Sequence, residues 1–302
     1  MQRPMLLCRC ATIFSATGEL DEENFRIFLQ RFIENGHGVY LASGGSGEGH
    51  ALTWEELRRV YEIGVEECKG RVPALANPPE QHTAEKVIEH SLLAIEAGVE
   101  VVNIYGPTGW HGYRPTDAEL DAYFDTVLDE VRHPVALAPN PNMGYTPSAR
   151  LMARICDRHH QVVAVNLSGL TEGYFVELRQ TLRAEVEIYV PFTASHNALD
   201  FGAAGLVDAD SNLLPLTFRK YLEAHARKDV DAMNATYGDV MKFVRYVSPW
   251  ASANPRWIKM AMRVLQQPGG EGIPRPPYRM PSEAVQQQFL AGLRELGLAE
   301  LA

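Results

Sequence analysis

Short runs of consecutive apolar and β-branched residues alternate along this chain with longer stretches in which apolar residues recur every three or four positions. The short runs predict strands at Leu6–Thr12, Gly38–Ala42, Val72–Ala76, Val99–Tyr105, Pro134–Ala138, Val162–Asn166, Glu187–Val190 and Gly205–Asp208. Helical patterns separate them, and two open with a capping box, Thr53 with Glu56 and Thr116 with Glu119. Regular alternation of this kind is the mark of a parallel α/β fold. Eight strand–helix units predict a (β/α)8 TIM barrel rather than an open doubly wound sheet.

After the eighth strand the pattern changes. Pro215–Ala226, Asp229–Val247, Pro255–Gln266 and Ser282–Leu296 all read as helices, with a Pro/Gly-rich connector from Pro268 to Pro281. The helical period is plain in Met241, Val244 and Val247, and again in Ile258, Met262 and Leu265. The expected organisation is therefore a barrel domain over residues 1–213 and a C-terminal helical domain over 214–302. No repeat of 20–50 residues and no low-complexity tract interrupts it.

Composition narrows the partners. A net charge of −10 argues against a nucleic-acid partner, because a phosphate backbone calls for a basic surface. No apolar run approaches the ~18 residues of a membrane span, and Arg9 interrupts the N-terminal run too early for a secretory signal. Four cysteines in 302 residues do not suggest a disulfide framework, so the cytoplasm is the expected compartment. Cys8 and Cys10 read as buried packing, and no His, Cys or acidic spacing suggests a metal site. The Gly-rich loop after the second strand is not GxGxxG, and no cofactor is implied.

That loop and its neighbours carry a resemblance that covers essentially the whole chain. The stretch Gly44-Gly45-Ser46-Gly47-Glu48-Gly49 with the helix that follows, Ala203-Ala204-Gly205-Leu206-Val207 with Ser211-Asn212-Leu213-Leu214-Pro215, and Asn254-Pro255 with Ile258-Lys259 occur in this order at these spacings. In this the chain resembles the dihydrodipicolinate synthase / N-acetylneuraminate lyase family. The resemblance implies a barrel acting on 2-oxo acids, assembled as a homo-oligomer, tetramer or dimer. Family members form a Schiff base on a lysine at the end of the sixth strand, and here that position is Asn166. An amide nitrogen is not a nucleophile, and none of the six lysines falls at the C-terminal end of a predicted strand. The family's proton-relay tyrosine at the end of strand five is likewise replaced, by Ala138 in Ala138-Pro139-Asn140-Pro141, and Tyr145 is not expected to reach back in its place.

What remains can still do chemistry. By resemblance, Gly45, Ser46 and Gly47 hold a substrate carboxylate, with Ser46 Oγ and the amides of Ser46 and Gly47 as donors. Asn140 and Val207, on the segments matching strands five and eight, join the substrate-binding set. Asn166 offers an amide N–H to a carbonyl or enolate oxygen, while Tyr105, His196 and Asp208 are the candidate proton carriers. The loop Gly106–Arg114 brings Trp110, His111, Tyr113 and Arg114, suited either to an organic anion or to a subunit contact. The expected function is a lyase-like enzyme, of aldolase, hydratase or dehydratase type, acting on a small carboxylate without Schiff-base catalysis. The alternative is an inactive family member used as a ligand-binding or assembly scaffold.

Overall fold

The computed structural model describes residues 5–169, 171–250 and 255–301. Eight strands close into a barrel in chain order: β1 Met5–Arg9, β2 Gly38–Leu41, β3 Ala74–Ala76, β4 Val101–Tyr105, β5 Val135–Ala138, β6 Val162–Asn166, β7 Glu187–Val190 and β8 Gly205–Asp208. Helices α1 Glu22–Ile33, α2 Trp54–Cys68, α3 Ala84–Glu96, α4 Asp117–Glu130, α5 Ala149–Arg158, α6 Glu172–Thr181 and the single turn α7 Ser195–Ala198 connect them. Then follow α8 Pro215–Arg227, α9 Val230–Val247, α10 Pro255–Val264 and α11 Glu283–Glu295. The expected (β/α)8 barrel with C-terminal helices is what forms.

Where strand ends differ from expectation, a local hydrogen bond or a proline explains it. β3 and β5 begin one residue after Pro73 and Pro134, because proline has no N–H to give the ladder. β4 starts late because Val99 still donates to Ala94 at the close of α3. β1 stops at Arg9, short of Thr12. There the side chain of Asn212 takes over, accepting from the Ala11 amide at 2.9 Å and donating to the Arg9 carbonyl at 2.9 Å. Both predicted capping boxes are present, at Thr53/Glu56 and Thr116/Glu119.

Contacts divide the chain into two compact units, one of residues 1–74 and 209–302, the other of residues 75–208. In the first, α9 buries Val240, Phe243 and Val247, which shifts the expected stripe because the Phe243 ring lies 5.7 Å from that of Trp257. Met241 and Val244 flank this stripe, half-buried. Helix α10 is buried on nearly every side, Trp257 through Met262 without a break, and Lys259 is carried inside with them. Asn254 lies outside the described residues. In the second unit, β5 and β6 bury almost every side chain, and the helices pack one amphipathic face each. No helix is long and apolar enough to cross a membrane among the described residues.

His37, 2% exposed at the start of β2, shows what such burial does to a titrating group. Its Nε2 lies 2.8 Å from the Pro215 carbonyl, yet desolvation dominates and lowers its pKa to about 4. The unfolded chain binds this proton near pH 6.5 and the folded protein only near pH 4. Between those values the unfolded state therefore holds more protons, and stability falls as pH falls. The expected contribution is a loss of about 3 kcal/mol between pH 7 and pH 4. Chemical denaturation across that range measures it, and His37→Gln should flatten the profile.

Candidate active site

The second unit contains a line of buried amides. Asn166, the last residue of β6, donates from Nδ2 to Asn103 Oδ1 at 2.8 Å. Asn103, in the middle of β4, donates from Nδ2 to Asn77 Oδ1 at 2.6 Å. Asn77 follows β3, and its Oδ1 also accepts the Tyr105 hydroxyl at 3.2 Å. Strands β4 and β6 are not neighbours, since β5 pairs with both. A bond between Asn103 and Asn166 therefore runs through the barrel interior and not along one face of adjacent strands. Each of the three asparagines is at most 2% exposed and Tyr105 is 5% exposed.

The sequence reading identified Asn166 and Tyr105 in this line and missed Asn77 and Asn103. The missed signal was an asparagine inside the otherwise apolar strand Val101-Val102-Asn103-Ile104. A polar side chain there must find a buried partner. The direction of the line also revises the role of Asn166, because one of its amide hydrogens is spent on Asn103. At the other end, Asn77 Nδ2 is buried with no acceptor among the described residues.

Beside Tyr105 the chain folds back after β5. The turn Pro141–Met143 is capped by Gly144 in the left-handed region at φ 88°, with Asn140 Oδ1 accepting from the Asn142 amide. Contrary to expectation, this brings Tyr145 back against Tyr105, Ala138 and Met143. Its hydroxyl donates to the Pro107 carbonyl at 2.8 Å, and Gly106 is what admits it: a Cβ there would sit 2.3 Å from the Tyr145 oxygen. Burial raises the Tyr145 pKa well above the ordinary phenol value, with the nearby Tyr113 adding to it, so this ring is a packing and hydrogen-bonding group at neutral pH. A cavity of about 10 Å³ lies beside Ala138 and Met143.

The first unit holds the Gly-rich loop after β2. Ser46 is buried and donates its hydroxyl to the Arg9 carbonyl at 2.7 Å, while the Gly47 amide goes to Ser43 Oγ at 3.0 Å. Two of the three donors expected to cradle an anion thus already have partners, one at the end of β1 and one within the loop. The amides of Gly44, Gly45 and Ser46 make no hydrogen bond to any described residue, which moves the concavity one step toward the N-terminus. Gly49 is required by space, since a Cβ would fall 2.0 Å from the Ala42 carbonyl.

Glu48 closes this loop with its backbone in the left-handed region, at φ 50°, and its carboxylate fully buried. That carboxylate accepts the Arg275 amide at 2.8 Å and lies 3.2 Å from the Lys259 ammonium. Lys259 donates in addition to the Thr12 carbonyl, and Thr12 Oγ1 in turn donates to the Gly47 carbonyl at 2.6 Å. Its nitrogen stands 4.3 Å from the Phe14 ring centroid, with the Arg275 guanidinium at 4.2 Å from the same ring. Burial lowers the Lys259 pKa and Glu48 opposes that shift. In sequence Lys259 is remote from every strand end. In space it reaches the residues that follow β1, and it holds the loop.

The other expected residues lie as follows. His196 is exposed on α7, Asp208 closes β8 at 8% exposure, and Val207 is buried within β8. His111 is exposed in the left-handed region at φ 53°, and Tyr113 is 42% exposed with its ring 5.9 Å from His82. Cys8 and Cys10 are buried and not joined in a disulfide, and no group of three metal-ligating side chains occurs among the described residues.

The sequence profile of the Dihydrodipicolinate synthetase family matches residues 5–296. The chain belongs to this family. It is 25% identical over 291 residues to the 4-hydroxy-tetrahydrodipicolinate synthase of Exiguobacterium sibiricum, covering 94% of each chain. It is 28% identical over 262 residues to the same enzyme of Stenotrophomonas maltophilia, covering 85% of each. Among solved structures, dihydrodipicolinate synthase from Aquifex aeolicus superposes with a TM-score of 0.86 at 20% identity, covering 99% of both chains. YagE, a prophage protein of that family from E. coli K12 solved with pyruvate, superposes at 0.85 with 22% identity, covering 98% of this chain and 99% of its own. This chain is thus a lyase-family enzyme by membership.

The Glu48–Lys259 pair gives a direct test of how the loop is held. Lys259→Met leaves a buried carboxylate without its cation and is expected to cost about 3–5 kcal/mol. Adding Glu48→Gln should regain a large part of that, because the unpaired charge is gone. Urea denaturation of the two single variants and the double variant measures the coupling. Losses that simply add would show that the two groups do not stabilise one another.

Proposed function

We propose that this protein is a lyase-type enzyme, of aldolase, hydratase or dehydratase type, that acts on a 2-oxo acid or related carboxylate without forming an imine. The observation that carries this reading is that β6 ends on Asn166, an amide and not an amine, bonded into a chain of neutral amides. An amide chain cannot form a covalent bond to a carbonyl. It can hold a proton-donating hydrogen bond on an oxygen as negative charge develops there, which is the work of an oxyanion hole.

Three further features support it. The amides of Gly44, Gly45 and Ser46 suit a carboxylate, since successive backbone N–H groups make an anion-binding concavity. Tyr105 is the one titratable member of the amide line, so it is the proposed proton carrier there, ahead of the exposed His196. Lys259 is not a substitute nucleophile on this reading, because Glu48, the Thr12 carbonyl and the Phe14 ring already surround its ammonium. Relatives named 4-hydroxy-tetrahydrodipicolinate synthase and a family structure solved with pyruvate place this substrate class first among those to test. A homo-oligomer is the proposed assembly.

Incubation with pyruvate and sodium borohydride, followed by intact-mass measurement, tests the chemistry. The expected mass is unchanged, while pyruvate alone raises the melting temperature. A reduced pyruvate adduct on any lysine would overturn the imine-free reading. Stabilisation by oxo acids with no turnover of any would favour the scaffold alternative.

A further inference from the structure

The line of amides has a direction, and that direction singles out a residue no family motif marks. Asn166 donates to Asn103, Asn103 donates to Asn77, and the sequence of donor and acceptor never reverses. Asn77 Oδ1 therefore receives two donors, from Asn103 Nδ2 at 2.6 Å and from the Tyr105 hydroxyl at 3.2 Å. An amide whose oxygen accepts hydrogen bonds shifts electron density from nitrogen to oxygen, so its own N–H becomes the better donor. Along a chain each link strengthens the next. The strongest N–H of the series is consequently at its end, on Asn77 Nδ2.

That nitrogen is the one in the line that is buried with no acceptor among the described residues. Asn77 is 1% exposed and directly follows β3, at the end of the barrel strands where TIM-barrel chemistry is sited. A buried amide donor without an acceptor is costly, typically about 1–3 kcal/mol, and is not kept without a use. Its amide hydrogens are therefore available to an acceptor oxygen of a bound molecule.

We infer that Asn77 is the substrate-oxygen donor of this protein, binding the carbonyl or enolate oxygen of a small oxo acid, with Asn103 and Asn166 as positioning residues that polarise it. The inference rests on the imine-free reading above and specifies where that reading's hydrogen bond is delivered. It gives Asn166 an indirect role: the residue at the lysine position orients and charges a donor two amides away. A neutral donor of this kind selects oxygens that gain negative charge, such as a ketone passing to an enolate, over groups that only donate.

The variant that isolates the donor is Asn77→Asp. A carboxylate keeps the acceptor that Asn103 and Tyr105 require, but offers no N–H and repels an enolate. Protein labelled with ¹⁵N at asparagine side chains, with Asn77 assigned by its loss in Asn77→Asp, is titrated with pyruvate alongside thermal-shift measurements. The expected result is stabilisation by pyruvate, movement of the Asn77 Nδ2 resonances, and an affinity at least about tenfold weaker in Asn77→Asp. Carbon-13 at C2 of bound pyruvate should move downfield in the wild type and not in the variant, a polarisation that a merely structural role would not produce. If pyruvate stabilises the protein but the Asn77 resonances stay in place, the assignment of Asn77 is overturned and the imine-free reading stands. If pyruvate neither binds nor moves Asn77, both fall for 2-oxo acids. If binding is accompanied by a borohydride-reducible adduct, the imine-free reading falls and the inference with it.

Discussion

Inside a closed parallel barrel a polar side chain has only other barrel residues, or a bound molecule, to bond to. Burial away from water imposes the same limit within each unit taken by itself. In the second unit it strings Asn166, Asn103 and Asn77 together and recruits the Tyr105 hydroxyl, because an isolated buried amide would lose more than its bond is worth. In the first unit it joins Glu48 to Lys259, two charges at 0% and 3% exposure that neither could carry alone. The two solutions differ in electrostatics. The pair is ionic, and its members also bond the Arg275 amide and the Thr12 carbonyl, which suits a fixed support for the loop. The amide line is neutral and ends on an unpaired donor, which suits a ligand.

A lysine at the end of β6 would have imposed another arrangement. Its ammonium would need an anionic partner or would give up its proton to burial, the condition in which an amine becomes nucleophilic. Asparagine makes neither demand. Asn166 fits its surroundings: Asn103 and Asn77 are the neutral partners an amide requires and an ammonium could not fully use. Beside Ala138, Met143 and Tyr145 pack against Tyr105, next to a cavity of about 10 Å³.

The fold was legible in the sequence because it is written in local signals. Buried parallel strands are short apolar runs, helices carry period and caps, and both predicted capping boxes formed at Thr53 and Thr116. Strand ends were less legible, since β1 is stopped by Asn212, which lies some two hundred positions away. Of the residues in the amide line the sequence pointed to Asn166 and Tyr105, and it pointed to the Gly-rich loop, each where the family resemblance marked a position. Which loop amides are open depends on Ser43 taking the Gly47 N–H, and that is a property of the folded turn. Lys259 was visible as a lysine in a helix, but a helix buried on nearly every side turns any cation it carries into a fixed contact. Tyr145 depended on Gly106 and on the left-handed turn at Gly144, two glycines whose meaning appears only when the loops after β4 and β5 meet.

On the imine-free reading, the amide line also limits the reaction. Amides deliver hydrogen bonds and move no protons at neutral pH, so charge stabilisation and proton transfer must be divided between different residues. Within the line Tyr105 is the only member that ionises, and its hydroxyl proton points at Asn77 Oδ1. Any proton it gives to a substrate must first leave that bond, which weakens the acceptance at Asn77 as the transfer proceeds. Donor strength at Asn77 Nδ2 and acidity at Tyr105 are therefore coupled through one oxygen atom. The coupling favours chemistry in which an oxyanion is held first and protonated afterwards, as in enolate formation from a 2-oxo acid, over chemistry that asks for both at once.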